Sequence, residues 1–301
     1  MEHLPRSYLM NLQTYQYETK TVALKPKVDI EVLVETNLPP SPGNIMRLTK
    51  LLNDVNTPAR KITEVVGYEP MLAAHILRLA NSPIYGLERK VTLIEAAIKT
   101  IGNERLNEIV MMGLGSSTFA KQIRASVIAR KIWEHSLAVA MIARELSKEL
   151  KMKGTEEAFT CGLLHDIGKL ILFTHDFQDF STTLTENDEN KMLYNERQLY
   201  GYDHAQVGSL VARRWGLQDE VCDTICYHHN PAMAPHPTVV THIVEAADII
   251  ANVKGYGLRC ENESALSASA SVKKLGLTLD GLETTWNNTE ESIKEVIQTF
   301  I

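Results

Sequence analysis

A histidine and an aspartate stand side by side in the middle of a long apolar stretch of the chain. The stretch runs from Ala158 to Phe173 and contains His165, Asp166 and Lys169. Its leucines and isoleucines recur at helical spacings, so we predict a single buried helix. An imidazole and a carboxylate buried there cost several kcal/mol unless each gains a partner. A metal ion, a salt bridge or hydrogen bonds at a helix end could each supply that partner.

Other histidines and one aspartate interrupt apolar stripes elsewhere in the chain. His135, His204 and Asp248 each lie on the apolar side of a predicted helix, and His228 and His229 lie at the end of another apolar stripe. One such histidine alone is more typical of a hydrogen-bonded core residue. Several helices that each contribute a histidine or an aspartate predict a metal site inside a helical bundle. The candidate ligands are His135, His165, Asp166, His204, His228, His229 and Asp248.

The types of these side chains restrict the metal. Imidazoles and carboxylates together favour borderline or hard divalent cations, here Fe, Mn, Ni, Zn or Mg. The candidates outnumber the ligands of one tetrahedral zinc, so we predict two ions a few Å apart with Asp166 as a possible bridge. Two such ions generate a nucleophilic water and hold a phosphate for in-line attack. Ligand histidines must be neutral, so metal affinity should fall as the pH drops toward about 6.

Composition and charge narrow the class of protein. The chain has 301 residues, of which 44% are hydrophobic and 23% charged, as in ordinary globular proteins. The net charge of -6 provides no basic field for nucleic acid. We see no apolar run long enough for a membrane span and no secretory signal. The four cysteines form no CxxC pair, which favours a reduced, cytoplasmic protein.

The periodicity predicts an all-α fold. Apolar residues recur at helical spacings from about residue 28 onward, and no period-2 run of β-branched residues is long enough to indicate a sheet. Loops rich in proline and glycine at residues 38–43, 81–86 and 230–237 separate the predicted helices.

Three blocks of sequence resemble the HDOD domain. They are Leu-Pro-Pro-Ser-Pro at 38–42, Gly-Tyr-Glu-Pro-Met-Leu-Ala-Ala-His-Ile-Leu-Arg-Leu-Ala-Asn-Ser at 67–82, and Val-Thr-Leu-Ile-Glu-Ala-Ala-Ile-Lys-Thr-Ile-Gly at 91–102. The resemblance implies a bacterial all-helical signalling module, with an HD-domain-like bundle preceded by a second packed helical subdomain. We therefore divide the chain into an N-terminal extension (1–27), a helical HDOD subdomain (28–120), an HD-like metal-binding subdomain (121–260) and a C-terminal helical tail (261–301).

The order of the histidines and aspartates is similar to that of the HD superfamily and its HD-GYP branch. The resemblance implies a first metal held by His135, His165, Asp166 and Asp248. It implies a second metal held by His204, His228 and His229. Lys169 matches a lysine that HD-GYP enzymes keep near the phosphate; the alternative is a solvated helix lysine.

Two departures limit what the resemblance implies. Asn230 and the residues after it contain neither the Glu nor the Gly-Tyr-Pro signature that HD-GYP proteins carry there, which argues against cyclic-di-GMP recognition. Lys131 stands where some HD-GYP enzymes have a Glu for a third metal, so a third ion is not expected.

Two functions of different classes follow. The first is a regulatory module that contacts a signalling protein partner and carries a structural or ligand-sensing dinuclear metal site. The alternative is a metal-dependent phosphohydrolase or phosphodiesterase with a phosphate or nucleotide ligand, in which Lys169 and Asp166 would have catalytic roles. An open face on the metals beside a nucleotide-sized pocket would favour the enzyme.

Overall fold

The computed structural model describes residues 28–29, 47–48, 50–52, 57–114, 126–184, 188–235 and 238–300. Within these ranges the chain forms helices and no β-strand, which confirms the all-α prediction. None of the helices in these ranges combines the length and the apolar content needed to cross a bilayer. The predicted extension at 1–27 and the predicted turn at 38–43 lie outside the described residues.

The helices are numbered here in chain order within the described part of the chain. The first seven are α1 (Ala59–Gly67), α2 (Pro70–Ala80), α3 (Ile94–Leu114), α4 (Val127–Glu149), α5 (Thr155–Leu164), α6 (Ile167–His175) and α7 (Phe177–Thr183). The next seven are α8 (Glu189–Tyr200), α9 (His204–Arg214), α10 (Asp219–Tyr227), α11 (Val239–Val253), α12 (Glu263–Ala268), α13 (Ala270–Lys274) and α14 (Leu279–Phe300). Short 3-10 turns span Pro83–Tyr85 and Pro231–Met233, and α3 is kinked at Gly102.

Helices α4, α5 and α11 form the centre of the fold. Each of them packs against the other two, α6 packs on α9, and α9 packs on α10. Gly162 makes the α4–α5 contact possible, because a Cβ there would lie 2.9 Å from the Cα of Ala140. These contacts bring the middle of α4 and α11 to the point where α5 gives way to α6.

The N-terminal helices pack against the same core. Helix α2 contacts both α4 and α5, and one continuous hydrophobic cluster includes residues from α1 through α14. The indole Nε1 of Trp133 on α4 donates a hydrogen bond to the carbonyl of Tyr68 at 2.6 Å. The division into subdomains at residue 120 stays a prediction, with the two parts joined by these contacts.

The stretch from Ala158 to Phe173 is two helices, and the prediction of a single helix was wrong. Helix α5 ends at Leu164, and α6 begins at Ile167. Asp166 has φ −99° and ψ 14°, which breaks the helical hydrogen-bond ladder. The His–Asp doublet therefore occupies a helix junction.

Three of the four cysteines are buried in the core. They are Cys161, Cys222 and Cys226. Burial raises the pKa of each of these three thiols, so they stay protonated. Cys260 is exposed, and all four thiols are free. The absence of disulfides agrees with the interpretation of the cysteines as packed thiols.

Candidate metal centre

Asp166 lies at the centre of a group of histidines. It precedes the first residue of α6, and its carboxylate lies between side chains from α4, from α9 and from the residues that follow α5 and α10. The Oδ1 atom is 3.3 Å from Nε2 of His204 and 3.7 Å from Nε2 of His228. The Oδ2 atom is 3.5 Å from Nε2 of His165 and 3.6 Å from Nε2 of His135. A single carboxylate is thus placed to bridge two groups of nitrogen donors.

Two of these imidazoles are held by backbone carbonyls. Nδ1 of His165 donates to the carbonyl of Gly162 at 2.7 Å, and Nδ1 of His228 donates to that of Ile225, also at 2.7 Å. A carbonyl oxygen can only accept, so Nδ1 carries the proton in both rings. In the neutral ring Nε2 then presents a lone pair, and both lone pairs face Asp166.

Those lone pairs have no hydrogen-bond partner. Nε2 of His165, Nε2 of His228 and Oδ1 of Asp166 are all buried and unsatisfied. Lone pairs facing a carboxylate repel it, and unsatisfied buried polar atoms cost about 1–3 kcal/mol each. A cation between them would remove both costs. Their separations of 3.5 and 3.7 Å are close to the roughly 3–3.5 Å that metal–ligand bonds of about 2.0–2.2 Å produce around one ion.

A first group of donors comes from α4, from the residue that follows α5, and from α11. Nε2 of His135 lies 2.9 Å from Oδ1 of Asp248, and Nε2 of His165 lies 4.0 Å from the same oxygen. Asn252 donates to Oδ1 of Asp248 at 2.8 Å, one turn along α11, and orients the carboxylate. His135, His165 and Asp248 each offer a ligand atom within 4.8 Å of the other two.

A second group comes from the ends of α9 and α10. His204 is the first residue of α9, and a capping box between Asp203 and Gln206 fixes that helix start. His228 and His229 directly follow α10. Nε2 of His204 lies 2.9 Å from Nε2 of His229, and these two rings and His228 offer ligand atoms within 4.8 Å of one another.

The crossing of α6 and α9 brings the two groups together. A Cβ at Gly168 would lie 1.8 Å from the carbonyl oxygen of His204 and 2.8 Å from the backbone nitrogen of Gly208. A Cβ at Gly208 would lie 2.9 Å from Cγ2 of Ile225. Only glycine lets these backbones approach so closely, and the approach sets the distance from Asp166 to His204.

The protonation states of His165, His228 and Asp166 favour metal binding. Burial lowers the pKa of His165 to about 4 and also lowers that of His228, so both rings are neutral at pH 7. Burial opposes the charge of Asp166, but nearby Lys169 and His165 outweigh it and hold the pKa of Asp166 well below its usual range. Neutral imidazoles beside an ionised carboxylate are the ligand forms that divalent metals require.

His204 differs from the other imidazoles. Burial opposes its charge, but the carboxylate of Glu196 outweighs burial and raises the pKa of His204 to about 9. In the metal-free protein His204 is therefore protonated, and its Nε2 donates to Nε2 of His229. This proton occupies the space between two nitrogens where a cation would bind.

Lys169 is buried and paired with Asp166. Its ammonium lies 2.6 Å from Oδ2 of Asp166, and only 5% of the residue is exposed. The solvated-lysine alternative is therefore wrong. The ammonium is positioned to interact with charge that develops beside Asp166.

Sequence reasoning missed three charged residues that surround the histidines. Glu196 accepts from His204, Glu189 accepts from Nδ1 of His229 at 2.8 Å, and Arg259 binds Glu189 at 2.5 Å. Both glutamates share the buried side of α8 with apolar residues. A carboxylate at a position that helical phase assigns to the core was the available signal.

The candidate ligands are enclosed. His165, His204 and His228 have no exposed surface, and Asp248 is 5% exposed. A cavity of about 30 Å³ reaches His229 between α8 and α9. A water molecule needs a cavity of about 10–15 Å³, whereas drug-sized ligands occupy pockets of about 300–1,000 Å³. This cavity admits water but not a nucleotide.

Comparison with known proteins identifies related sequences. Residues 38–231 match the HDOD domain. An uncharacterized protein of Treponema pallidum is 23% identical over 226 residues, which cover 73% of this chain and 42% of that protein. Ribonuclease Y of Thermus thermophilus is 28% identical over 159 residues, which cover 53% of this chain and 23% of that protein. The matched region thus spans less than half of the length of either relative.

A solved structure shares the fold. The MmoQ response regulator of Methylococcus capsulatus superposes with a TM-score of 0.65 and 22% sequence identity. The match covers 83% of this chain and 97% of the MmoQ chain. The similarity extends over most of both chains and concerns the arrangement of the helices.

Proposed function

The chain belongs to the HDOD domain family, and on that premise we propose that it is a regulatory signalling module whose HD-like half holds two divalent metal ions. In this proposal the metals connect the helices of the bundle, and the output is contact with a signalling protein partner. The shared fold with a protein described as a response regulator supports a signalling role.

The proposal assigns the ligands to two ions. The first ion is bound by His135, His165 and Asp248, and the second by His204, His228 and His229. Asp166 bridges them. The observation that carries this assignment is the pair of buried, unsatisfied imidazole nitrogens that face the carboxylate of Asp166.

Enclosure of the site favours regulation over turnover. The ligand side chains are almost completely buried, and the cavity at His229 is too small for a nucleotide. Arg259 lies within 3.9 Å of Asp248 and binds Glu189, which covers this side of the site with an internal ion pair. A metal centre enclosed in this way stabilises a conformation or reports on metal availability.

Element analysis of protein purified without chelator tests the metal centre. We expect about two equivalents of Fe, Mn, Ni or Zn per chain, about one in His165→Ala, and less than one in Asp166→Ala, which loses the shared ligand. Asp223→Asn is the matched control, because it removes a buried carboxylate that pairs with Arg213 away from the histidines. A content well below one ion in the unmutated protein contradicts the proposal.

A second candidate function is hydrolysis of a phosphodiester or phosphomonoester. The buried ammonium of Lys169 beside Asp166 favours it, as does the sequence similarity of half of this chain to a ribonuclease. Metal ions bound at this site would supply an activated water and neutralise phosphate charge. Lys169 would stabilise negative charge on the phosphoryl oxygens, and Asp166 would hold both the ions and the ammonium in place.

Turnover assays separate the two functions. The metal-loaded protein is assayed with phosphodiester, phosphomonoester and nucleotide substrates in Mn, Fe, Ni and Mg. Turnover that is lost in Lys169→Met, at unchanged metal content, establishes the hydrolase. No turnover with any of these pairs, in protein that contains two ions, supports the regulatory module.

A further inference from the structure

Helix α8 contributes none of the ligands assigned above, yet two of its carboxylates face the histidines. Glu189 has an oxygen within 4.8 Å of ligand atoms of His229 and Asp248. Glu189 and Glu196 are two helical turns apart and share a stripe with Leu193 and Tyr200. Leu193, Glu196 and Tyr200 are buried, and Glu196 has no exposed surface. A fully buried carboxylate on an apolar stripe needs a specific partner.

Glu196 binds the first residue of α9 twice. Its Oε2 accepts from Nδ1 of His204 at 2.8 Å and from the backbone nitrogen of His204 at 2.8 Å. The backbone nitrogen is one of the donors that a helix start leaves without an intrahelical partner. The two contacts fix both the position and the rotation of the imidazole, and they direct Nε2 toward Asp166.

Glu189 makes the equivalent contact to His229. Its Oε1 accepts from Nδ1 of His229 at 2.8 Å and also binds the guanidinium of Arg259 at 2.5 Å. Arg259 is itself 4% exposed and contacts Glu261 at 3.4 Å. The arginine thus holds Glu189 in place, and the Nε2 of His229 is directed at that of His204.

We propose that α8 is a positioning helix for the second metal ion, with Glu196 and Glu189 orienting His204 and His229. The inference rests on the metal-binding function proposed above. Carboxylates that accept from the outer nitrogen of a ligand histidine fix its tautomer and increase its basicity. Loss of such a carboxylate weakens metal affinity by about 10- to 100-fold.

The effect should fall mainly on the second of the two ions. His165 and His228 are oriented by the carbonyls of Gly162 and Ile225, and no carboxylate of α8 contacts them in the described structure. A substitution of Glu196 therefore leaves the first ion, bound by His135, His165 and Asp248, unchanged. Glu189 is connected to Asp248 through Arg259, so its substitution should change the first ion less than the second. A general loss of folding would instead weaken both ions together.

A titration with Mn²⁺ tests this difference. Free Mn²⁺ is measured by its electron paramagnetic resonance signal as it is added to metal-free protein, for the unmutated chain, Glu196→Gln, Glu189→Gln and Asp223→Asn. We expect two binding steps in the unmutated chain. In both glutamine variants the second step should weaken by about 10- to 100-fold. The first step should be unchanged in Glu196→Gln and should change less than the second in Glu189→Gln, because Arg259 contacts both Glu189 and Asp248. Asp223→Asn should retain both steps.

The outcomes separate this inference from the proposed function. No Mn²⁺ binding by the unmutated chain overturns the metal centre itself. Two normal steps in both glutamine variants overturn the role of α8 and leave the metal centre standing. Equal weakening of both steps shows that the glutamates support the fold in general, which also overturns the inference. If Glu196→Gln does not fold, the partly exposed Glu189 still decides the question.

Discussion

At the scale of single residues, the hydrogen bonds of Nδ1 divide four of the five candidate ligand histidines into two classes. Nδ1 of the fifth, His135, is buried without a hydrogen-bond partner. Backbone carbonyls hold His165 and His228, whose pKa values burial lowers. Carboxylates hold His204 and His229. The first class is ready to bind a cation at neutral pH. In the second class, His204 must first release a proton.

The proton on His204 predicts a pH-dependent affinity for the second ion. The folded pKa of about 9 lies above the ordinary value of 6.5, so binding below pH 9 displaces one proton from this ring. The affinity for the second Mn²⁺ should rise by up to about tenfold per pH unit between pH 7 and 8.5. Mn²⁺ titrations at three pH values measure this slope.

The raised pKa of His204 also makes the stability of the metal-free protein depend on pH, but this stability falls as the pH rises. A raised pKa contributes stability that is complete below about pH 6.5 and is lost as the pH rises through about 9. The free energy of unfolding of the metal-free protein should therefore fall between pH 7 and 9. Glu196→Gln removes the carboxylate that raises the pKa, so both slopes should flatten; slopes equal to those of the unmutated chain would contradict this explanation.

At the scale of secondary structure elements, the crossing of α6 and α9 determines the geometry of the site. The atoms that a Cβ at Gly168 would meet belong to the backbone, and backbone cannot rotate away as a flexible side chain does. Any side chain at this position forces the two helices apart. His204 moves with α9, so its distance from Asp166 increases.

Gly168→Ala should therefore lower the free energy of unfolding by more than about 2 kcal/mol, toward the upper part of the range for overpacked cores. It should also weaken the second ion more than the first. Chemical denaturation and Mn²⁺ titration measure the two effects. Gly67→Ala is the control, because its Cβ would meet Cε1 of Phe159 at an ordinary 3.7 Å. Similar losses in both variants would mean that the close approach has no special importance.

Helical phase predicted much of this arrangement and missed the parts that depend on tertiary contacts. The candidate ligands interrupt apolar stripes, so their inward direction followed from periodicity. The break at Asp166 was missed because no glycine or proline marks it. Glu196 was missed because a glutamate in a helix is usually solvated. Its role depends on its contact with His204 at the start of α9. Periodicity within one helix does not predict a contact with another helix.

At the scale of the whole molecule, the candidate site lies inside the hydrophobic core that the described residues form. The core cluster includes residues of the N-terminal helices as well as α4, α5 and α11. Histidines from α4, from the start of α9 and from the ends of α5 and α10 lie within 3.7 Å of the Asp166 carboxylate. Bound metal would therefore crosslink elements that are distant in sequence, and its free energy of binding would add to the stability of the native state.

Removal of metal should destabilise the whole chain. A free metal concentration 100-fold above the dissociation constant stabilises the native state by about 2.7 kcal/mol per ion. Chelation should lower the unfolding temperature by several degrees, measured by calorimetry with and without chelator. The His165→Ala protein, which keeps the ligands of the second ion, should show a smaller decrease with chelator. A decrease of the same size in that variant would point to an effect unrelated to the histidines.

The single exposed cysteine among the four allows a spectroscopic label to be attached close in sequence to Arg259. Cys260 is solvent-accessible and adjacent in sequence to Arg259, whereas the other thiols are sequestered and hold their protons. A maleimide fluorophore should attach at Cys260 without any engineered substitution. Its emission would then follow the Arg259–Glu189 pair in the native chain as cations or partner proteins are added.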